Sequence, residues 1–136
     1  MTEKRFRVVI ADDNSTMRAV LRAALREVDY EVVGEATDGV ATLVMVERTR
    51  PDIVCLDIVM PNTDGLQALR DIKEKFPATV VVMISGNADR ESVQGAIAGG
   101  ACGYILKPFN TARIIEIMKK AATLVPQPPD KPPAAA

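Results

Sequence analysis

Five side chains carry the chemistry that this sequence can do: Asp12 and Asp13 in IADDNS, Asp57 in IVCLDIVMP, Ser85 in VMISG and Lys107 in YILKPF. Each stands where an apolar run ends. Asp57 is the most telling, because four apolar residues precede it and three follow, and an unpaired charge in such surroundings is costly. Brought together, three carboxylates would raise one another's pKa unless a cation intervened. Lys107 alone offsets only part of that repulsion. Carboxylate oxygens with room for water suit Mg²⁺, which binds through one or two carboxylates and a substrate phosphate. The chemistry that follows is phosphoryl transfer: a carboxylate attacks phosphorus to form an acyl phosphate while metal and ammonium neutralise the equatorial oxygens. Asp57 is the expected nucleophile.

The elements must deliver these groups to one place. Short apolar runs at 6–11, 30–36, 53–57, 79–84 and 102–106 alternate with helical patterns, and three of the runs are near-continuous Val/Ile/Leu, as in strands buried on both faces. Between them recur Met17, Val20, Leu21, Ala24 and Val28; Val40, Leu43 and Val44; Leu66, Leu69 and Ile72; Val93, Ala96 and Ile97; and Ile114, Ile117, Met118 and Ala121. Asn14 or Ser15, Asp64 with Gln67 in a capping box, and Asn110 mark helix starts, and Gly99-Gly100 marks a stop. The order is strand then helix, five times over. Such a chain forms an α/β doubly wound parallel sheet, whose ligand site lies at the carboxyl ends of the strands. Asp12, Asp13, Asp57, Ser85 and Lys107 all fall there.

Composition narrows the alternatives. The chain has 136 residues, 48% hydrophobic and 26% charged, which suits one globular domain. Net charge is -1, so no general field draws in nucleic acid or a membrane surface, and neither is an expected partner. No run reaches membrane-spanning length and no signal peptide is evident, so a cytoplasmic location is expected. Histidine is absent, which removes Ser-His-Asp triads, Cys-His nucleophiles and imidazole zinc sites. Cys55 and Cys102 lack metal or redox spacing and read as buried hydrophobes, and Met45, Met60, Met83 and Met118 as core filling. Residues 1–124 form the expected domain. The Pro-rich tail, 125–136, reads as an extended polyproline-like segment, either a free terminus or the start of a linker.

Taken together, IADDNSTMR, CLDIVMPNTDG, VMISG and GYILKPF, in that order over roughly residues 5–124, resemble the receiver domain of bacterial two-component response regulators, of the stand-alone chemotaxis-regulator kind. The resemblance implies a flavodoxin-like sheet of strand order 2-1-3-4-5 and phosphorylation of Asp57 by a sensor histidine kinase or phosphotransfer protein. It implies Mg²⁺ held by Asp13 and Asp57, by the Val59 backbone carbonyl, and by Asp12 through water. Lys107 and Ser85 would meet phosphoryl oxygens, and Pro108 would follow a cis peptide bond. Tyr104 matches the aromatic switch that turns inward when Ser85 moves, altering the surface of the fourth helix, fifth strand and fifth helix for a downstream protein target. The domain would catalyse only its own phosphorylation and dephosphorylation. Val59 and Asn87 occupy positions that vary in this family and tune dephosphorylation, and Ser85 replaces the commoner threonine.

Duller readings exist for each residue singly. Asp12, Asp13 and Asp64 could cap helices, Lys107 could be a solvated lysine before a turn proline, Ser85-Gly86 a turn, and Tyr104 a half-buried strand aromatic. Asp64 is assigned to a cap. Among rival functions, a Mg²⁺-dependent phosphatase of the haloacid-dehalogenase type would need an acid two residues after Asp57, where Val59 stands. A nucleotide or flavin binder would need a Gly-rich phosphate loop, and neither GxGxxG nor GxxxxGK[ST] occurs. A docking-only pseudo-receiver conflicts with the intact acidic set. The receiver half of a larger regulator, with an output domain elsewhere, remains the other alternative.

Overall fold

A computed structural model describes residues 6–60, 64–86 and 89–126. Asn87, and all of the tail except Val125 and Pro126, lie outside these. The described residues form β1 (Arg7–Ala11), α1 (Ser15–Glu27), β2 (Glu31–Ala36), α2 (Gly39–Thr49), β3 (Ile53–Asp57), α3 (Gly65–Lys75), β4 (Val80–Ser85), α4 (Arg90–Ala98), β5 (Gly103–Leu106) and α5 (Thr111–Thr123). All strand pairs are parallel, in the order β2-β1-β3-β4-β5. The sheet is the expected doubly wound, flavodoxin-like one.

Successive strand residues point to opposite faces, so one run of apolar residues feeds two cores. Val8, Ile10, Ile53, Cys55, Val82 and Ile84 pack with α1 and α5. Val9, Ala11, Val54, Leu56, Val81 and Met83 pack beneath α2, α3 and α4. Every residue of β3 and β4 is buried, which explains their unbroken hydrophobicity, whereas the edge strands β2 and β5 are partly open. Val125, expected in the tail, is buried in the α1/α5 core, so packing continues past residue 124.

The helix stripes are borne out for α3 and α5 and shifted in α2. Val40 and Val44 are about half exposed, while Thr42 and Val46 are buried. The physical reason is Thr42, whose hydroxyl donates to the Asp38 carbonyl at 2.7 Å and so enters the core without an unmet hydrogen bond. Val20 and Ile97 likewise lie outside the buried faces of their helices. Asn14, Asp38, Asp64, Asp89 and Asn110 each accept the backbone N–H three residues on, capping the five helices. The capping box at α3 is only half made. Gln67 N–H reaches Asp64 at 2.9 Å, but the Gln67 side chain donates to Asp71 and accepts from Arg70 instead.

Candidate functional site

Strand register decides which chemical groups meet. Ala11 pairs with Leu56, Asp57 with Ile84 and Ser85 with Leu106, so the residues just beyond β1 and β5, Asp12 and Lys107, stand level with the last residues of β3 and β4. Strand alternation then sorts them by face. Asp12 and Asp57 follow two residues after Ile10 and Cys55, and Lys107 two after Ile105, all on the α1/α5 side. Ser85 and Tyr104 share the opposite parity. Tyr104 pairs with Met83, and Ser85 lies two residues beyond, so the two are diagonal neighbours on one face.

On the first face the acidic groups converge. Lys107 Nζ donates to Asp12 Oδ2 at 2.8 Å and to Asp57 Oδ2 at 3.2 Å. Asp12 is buried and held on all sides: its N–H donates to the Ala36 carbonyl at 3.0 Å, and its Oδ1 accepts the Asn14 N–H at 2.8 Å. Asp57, only 5% exposed, also accepts a hydrogen bond from the Val59 N–H. Asp13 is exposed. One carboxylate oxygen from each of Asp12, Asp13 and Asp57 lies within 4.8 Å of the other two. Opposite ligands of an octahedral Mg²⁺ are about 4 Å apart. The cluster therefore fits such an ion after small side-chain rotations, with waters completing the shell.

The electrostatics have the sense that a cation site requires. Burial pushes the Asp57 carboxyl up; the Lys107 charge opposes this, the Asp12 charge adds to it, and hydrogen bonds from Lys107 and Val59 oppose it, leaving a net rise. Burial by itself would lower the Lys107 ammonium, but its hydrogen bond to Asp12 and the charges of Asp57 and Asp12 outweigh that and raise it. Lys107 therefore stays charged, and a divalent cation would draw Asp57 back down.

Local structure explains how these groups are presented. The Lys107-Pro108 peptide is cis, and the Lys107 N–H donates to the Ser85 carbonyl at 2.8 Å, tying the β5 end to β4. Ser85 is fully buried. Val59 is 66% exposed, at the rim beyond Asp57. Tyr104 is half-buried and borders a surface groove of about 430 Å³ with Leu106, Pro108, Phe109 and Arg113. A cleft of about 490 Å³ lined by Arg50, Phe76 and Pro126 lies at the opposite, amino end of the strands, away from the acidic edge.

Two contributors escaped the sequence reading. A Cβ on Gly65 would sit 2.0 Å from the Asp57 carbonyl oxygen and 2.6 Å from Ile58 Cα, and the Gly65 N–H donates to the Ile58 carbonyl at 2.7 Å. Glycine is what lets α3 begin against the backbone that carries Asp57. The Asp-Gly pair was visible, but its reading as a helix start had no access to that approach. Arg18, on α1, donates from Nη1 to the Asp12 carbonyl at 2.7 Å. Nothing in its spacing marks it.

Comparison with known proteins agrees with this geometry. The family of the response regulator receiver domain matches residues 8–119. Chemotaxis protein CheY of Listeria monocytogenes is 40% identical over 116 residues, 85% of this chain and 98% of that protein. CheY of Thermotoga maritima is 35% identical, covering 85% of this chain and 97% of the relative. The crystal structure of the response regulator domain of Thermotoga maritima CheB superposes with a TM-score of 0.80 at 30% identity, over 90% of this chain and 97% of that one. With fold, acidic edge and relatives in accord, the chain belongs to the response regulator receiver domains and is a phosphorylation-dependent switch of two-component signalling, not a classical enzyme.

Proposed function

We propose that Asp57 is the phosphoryl acceptor and that the acidic edge binds Mg²⁺, as receiver domains normally do. The observation that carries this is the meeting of Asp12, Asp13 and Asp57 with Lys107, from segments up to 95 residues apart. Asp13 and Asp57 would hold the ion by side chains, the Val59 carbonyl by backbone and Asp12 through a water. When bound, Mg²⁺ supplies charge neutralisation at the phosphoryl oxygens and a template for in-line attack.

The chain's own groups do the rest. A carboxylate oxygen of Asp57 attacks the phosphorus of a phosphohistidine on a kinase or phosphotransfer protein. The P–N bond breaks as the P–O bond forms, and the departing imidazole takes its proton from solvent. Lys107 follows the transferred group, exchanging a carboxylate partner for a phosphoryl oxygen, and the Ser85 hydroxyl donates to another. Hydrolysis of the acyl phosphate by water restores the Asp57 carboxylate and releases phosphate. The domain thus catalyses its own phosphorylation and dephosphorylation and nothing else.

Output follows from the other face. Ser85 and Tyr104 are diagonal neighbours there, so movement of Ser85 toward the phosphoryl group makes room for the ring, and the surface of α4, β5 and α5 changes. A downstream protein target reads that surface, in a regulator acting in the cytoplasm. The phosphatase alternative is not favoured, since Val59 offers no general acid.

Incubation with acetyl phosphate and Mg²⁺ followed by intact-mass measurement tests the proposal. A single phosphoryl adduct is expected on the wild type, absent with EDTA and absent in Asp57→Asn. An adduct retained by Asp57→Asn would refute the assignment.

A further inference from the structure

We infer that Arg18, strapped by Glu35, is a positioning residue for the cation site because it fixes the peptide that aims Asp13. This rests on the reading of the acidic edge as a Mg²⁺ site. The three carboxylates are not held alike. Asp12 is fixed through both oxygens, by Asn14 and Lys107, and Asp57 by Lys107 and the Val59 N–H. Asp13 is exposed, and among the described residues its side chain makes no hydrogen bond or ion pair. Its placement therefore rests on the backbone that carries its Cα.

The peptide joining Asp12 to Asp13 is planar, so fixing its oxygen fixes the nitrogen and Cα of Asp13 as well. That oxygen is the Asp12 carbonyl, which accepts from Arg18 Nη1 at 2.7 Å. Arg18 is itself restrained: its Nε donates to Glu35 Oε1 at 3.0 Å, and Glu35 Oε2 accepts from Arg22 Nη1 at 2.5 Å. Two bonds in different directions from one rigid planar fork set both its place and its tilt.

Glu35 lies on β2 opposite Ile10 of β1, so the strap runs from α1 to the edge strand beside the site. It also supplies a negative charge next to Arg18, so the guanidinium does not repel the cation that it serves. Partly exposed ion pairs of this kind contribute little to stability. A strap with only a structural role would leave cation affinity alone.

Mg²⁺ titration by calorimetry, with melting measured in chelator, tests this on the full chain. Arg18→Met should weaken Mg²⁺ binding about tenfold, as loss of an outer-shell partner does, while the chelated protein melts within about 2 °C of wild type. Arg18→Lys, which keeps a donor and a charge, should recover part of the loss. In an Asp13→Asn background the Arg18→Met effect should vanish, since the carboxylate to be aimed is gone. Unchanged affinity in Arg18→Met, or a loss of equal size in the Asp13→Asn background, would overturn the inference. If Arg18→Met does not fold, Arg18→Lys and Glu35→Gln make the same comparison. A wild type that binds no Mg²⁺ would instead overturn the site reading on which this one stands.

Discussion

Lys107 Nζ stands between Asp12 Oδ2, at 2.8 Å, and Asp57 Oδ2, at 3.2 Å, closing contacts across 95 and 50 residues of chain. A divalent cation held as proposed would draw on the same carboxylates as the ammonium, and the two would compete. Lys107→Met should bind Mg²⁺ several-fold more tightly by calorimetry. Its phosphorylation by acetyl phosphate should nevertheless slow by about tenfold or more, because charge on the transferred group loses a fixed partner. Weaker Mg²⁺ binding in this variant would show that Lys107 organises the carboxylates rather than competing for them.

Gly65 has no room for a side chain. With its Cβ position 2.0 Å from the Asp57 carbonyl, Gly65→Ala must push α3 away from the end of β3. Overpacking against backbone costs about 1–3 kcal/mol and occasionally more, and the shift should also slow phosphorylation of Asp57. Urea denaturation checks the first and intact mass the second. A variant as stable as wild type would mean that the helix start yields freely.

Val59 sits at the rim with two-thirds of its surface open and offers no hydrogen bond to water attacking the acyl phosphate. Val59→Asn should accelerate loss of the phosphoryl group several-fold, followed by mass or by NMR, and change stability by less than about 0.5 kcal/mol, as exposed substitutions do. An unchanged or slower loss would count against it.

Cys55 links stability to alkaline pH. Burial pushes its thiol up to about 12, and the charge of Cys102 adds to this. The unfolded thiol, with a pKa near 9.0, loses its proton first, so between the two values the folded chain carries the extra proton. Stability is then undiminished below about pH 9 and falls as pH rises toward 12, by at most about 1.4 kcal/mol per unit. Melting of Cys55→Val should drop less than that of wild type between about pH 9 and 10.5. Parallel curves would dismiss the coupling.

Much of this was legible in one dimension because it depends on local periodicity. The near-continuous apolar runs at 53–57 and 79–84 read as strands covered on both faces, and a parallel sheet brings every strand end to one edge. Asp57 stood out because hydration makes a charge among apolar neighbours expensive. Helix phase was less secure. A hydropathy stripe passed over Thr42, which buries itself through a hydrogen bond to Asp38, and took in Val40 and Val44, which face outward.

From residue order alone came the alternation of elements, the edge on which Asp12, Asp13, Asp57, Ser85 and Lys107 gather, and the likeness to receiver domains. These follow from burial and backbone periodicity, which neighbouring residues already encode. Three-dimensional packing alone settled that Lys107 bridges Asp12 and Asp57, that Gly65 lies against the Asp57 backbone, and that Arg18 holds the Asp12 carbonyl. Such contacts depend on register and on angles between elements far apart in the chain, and no local pattern carries that information.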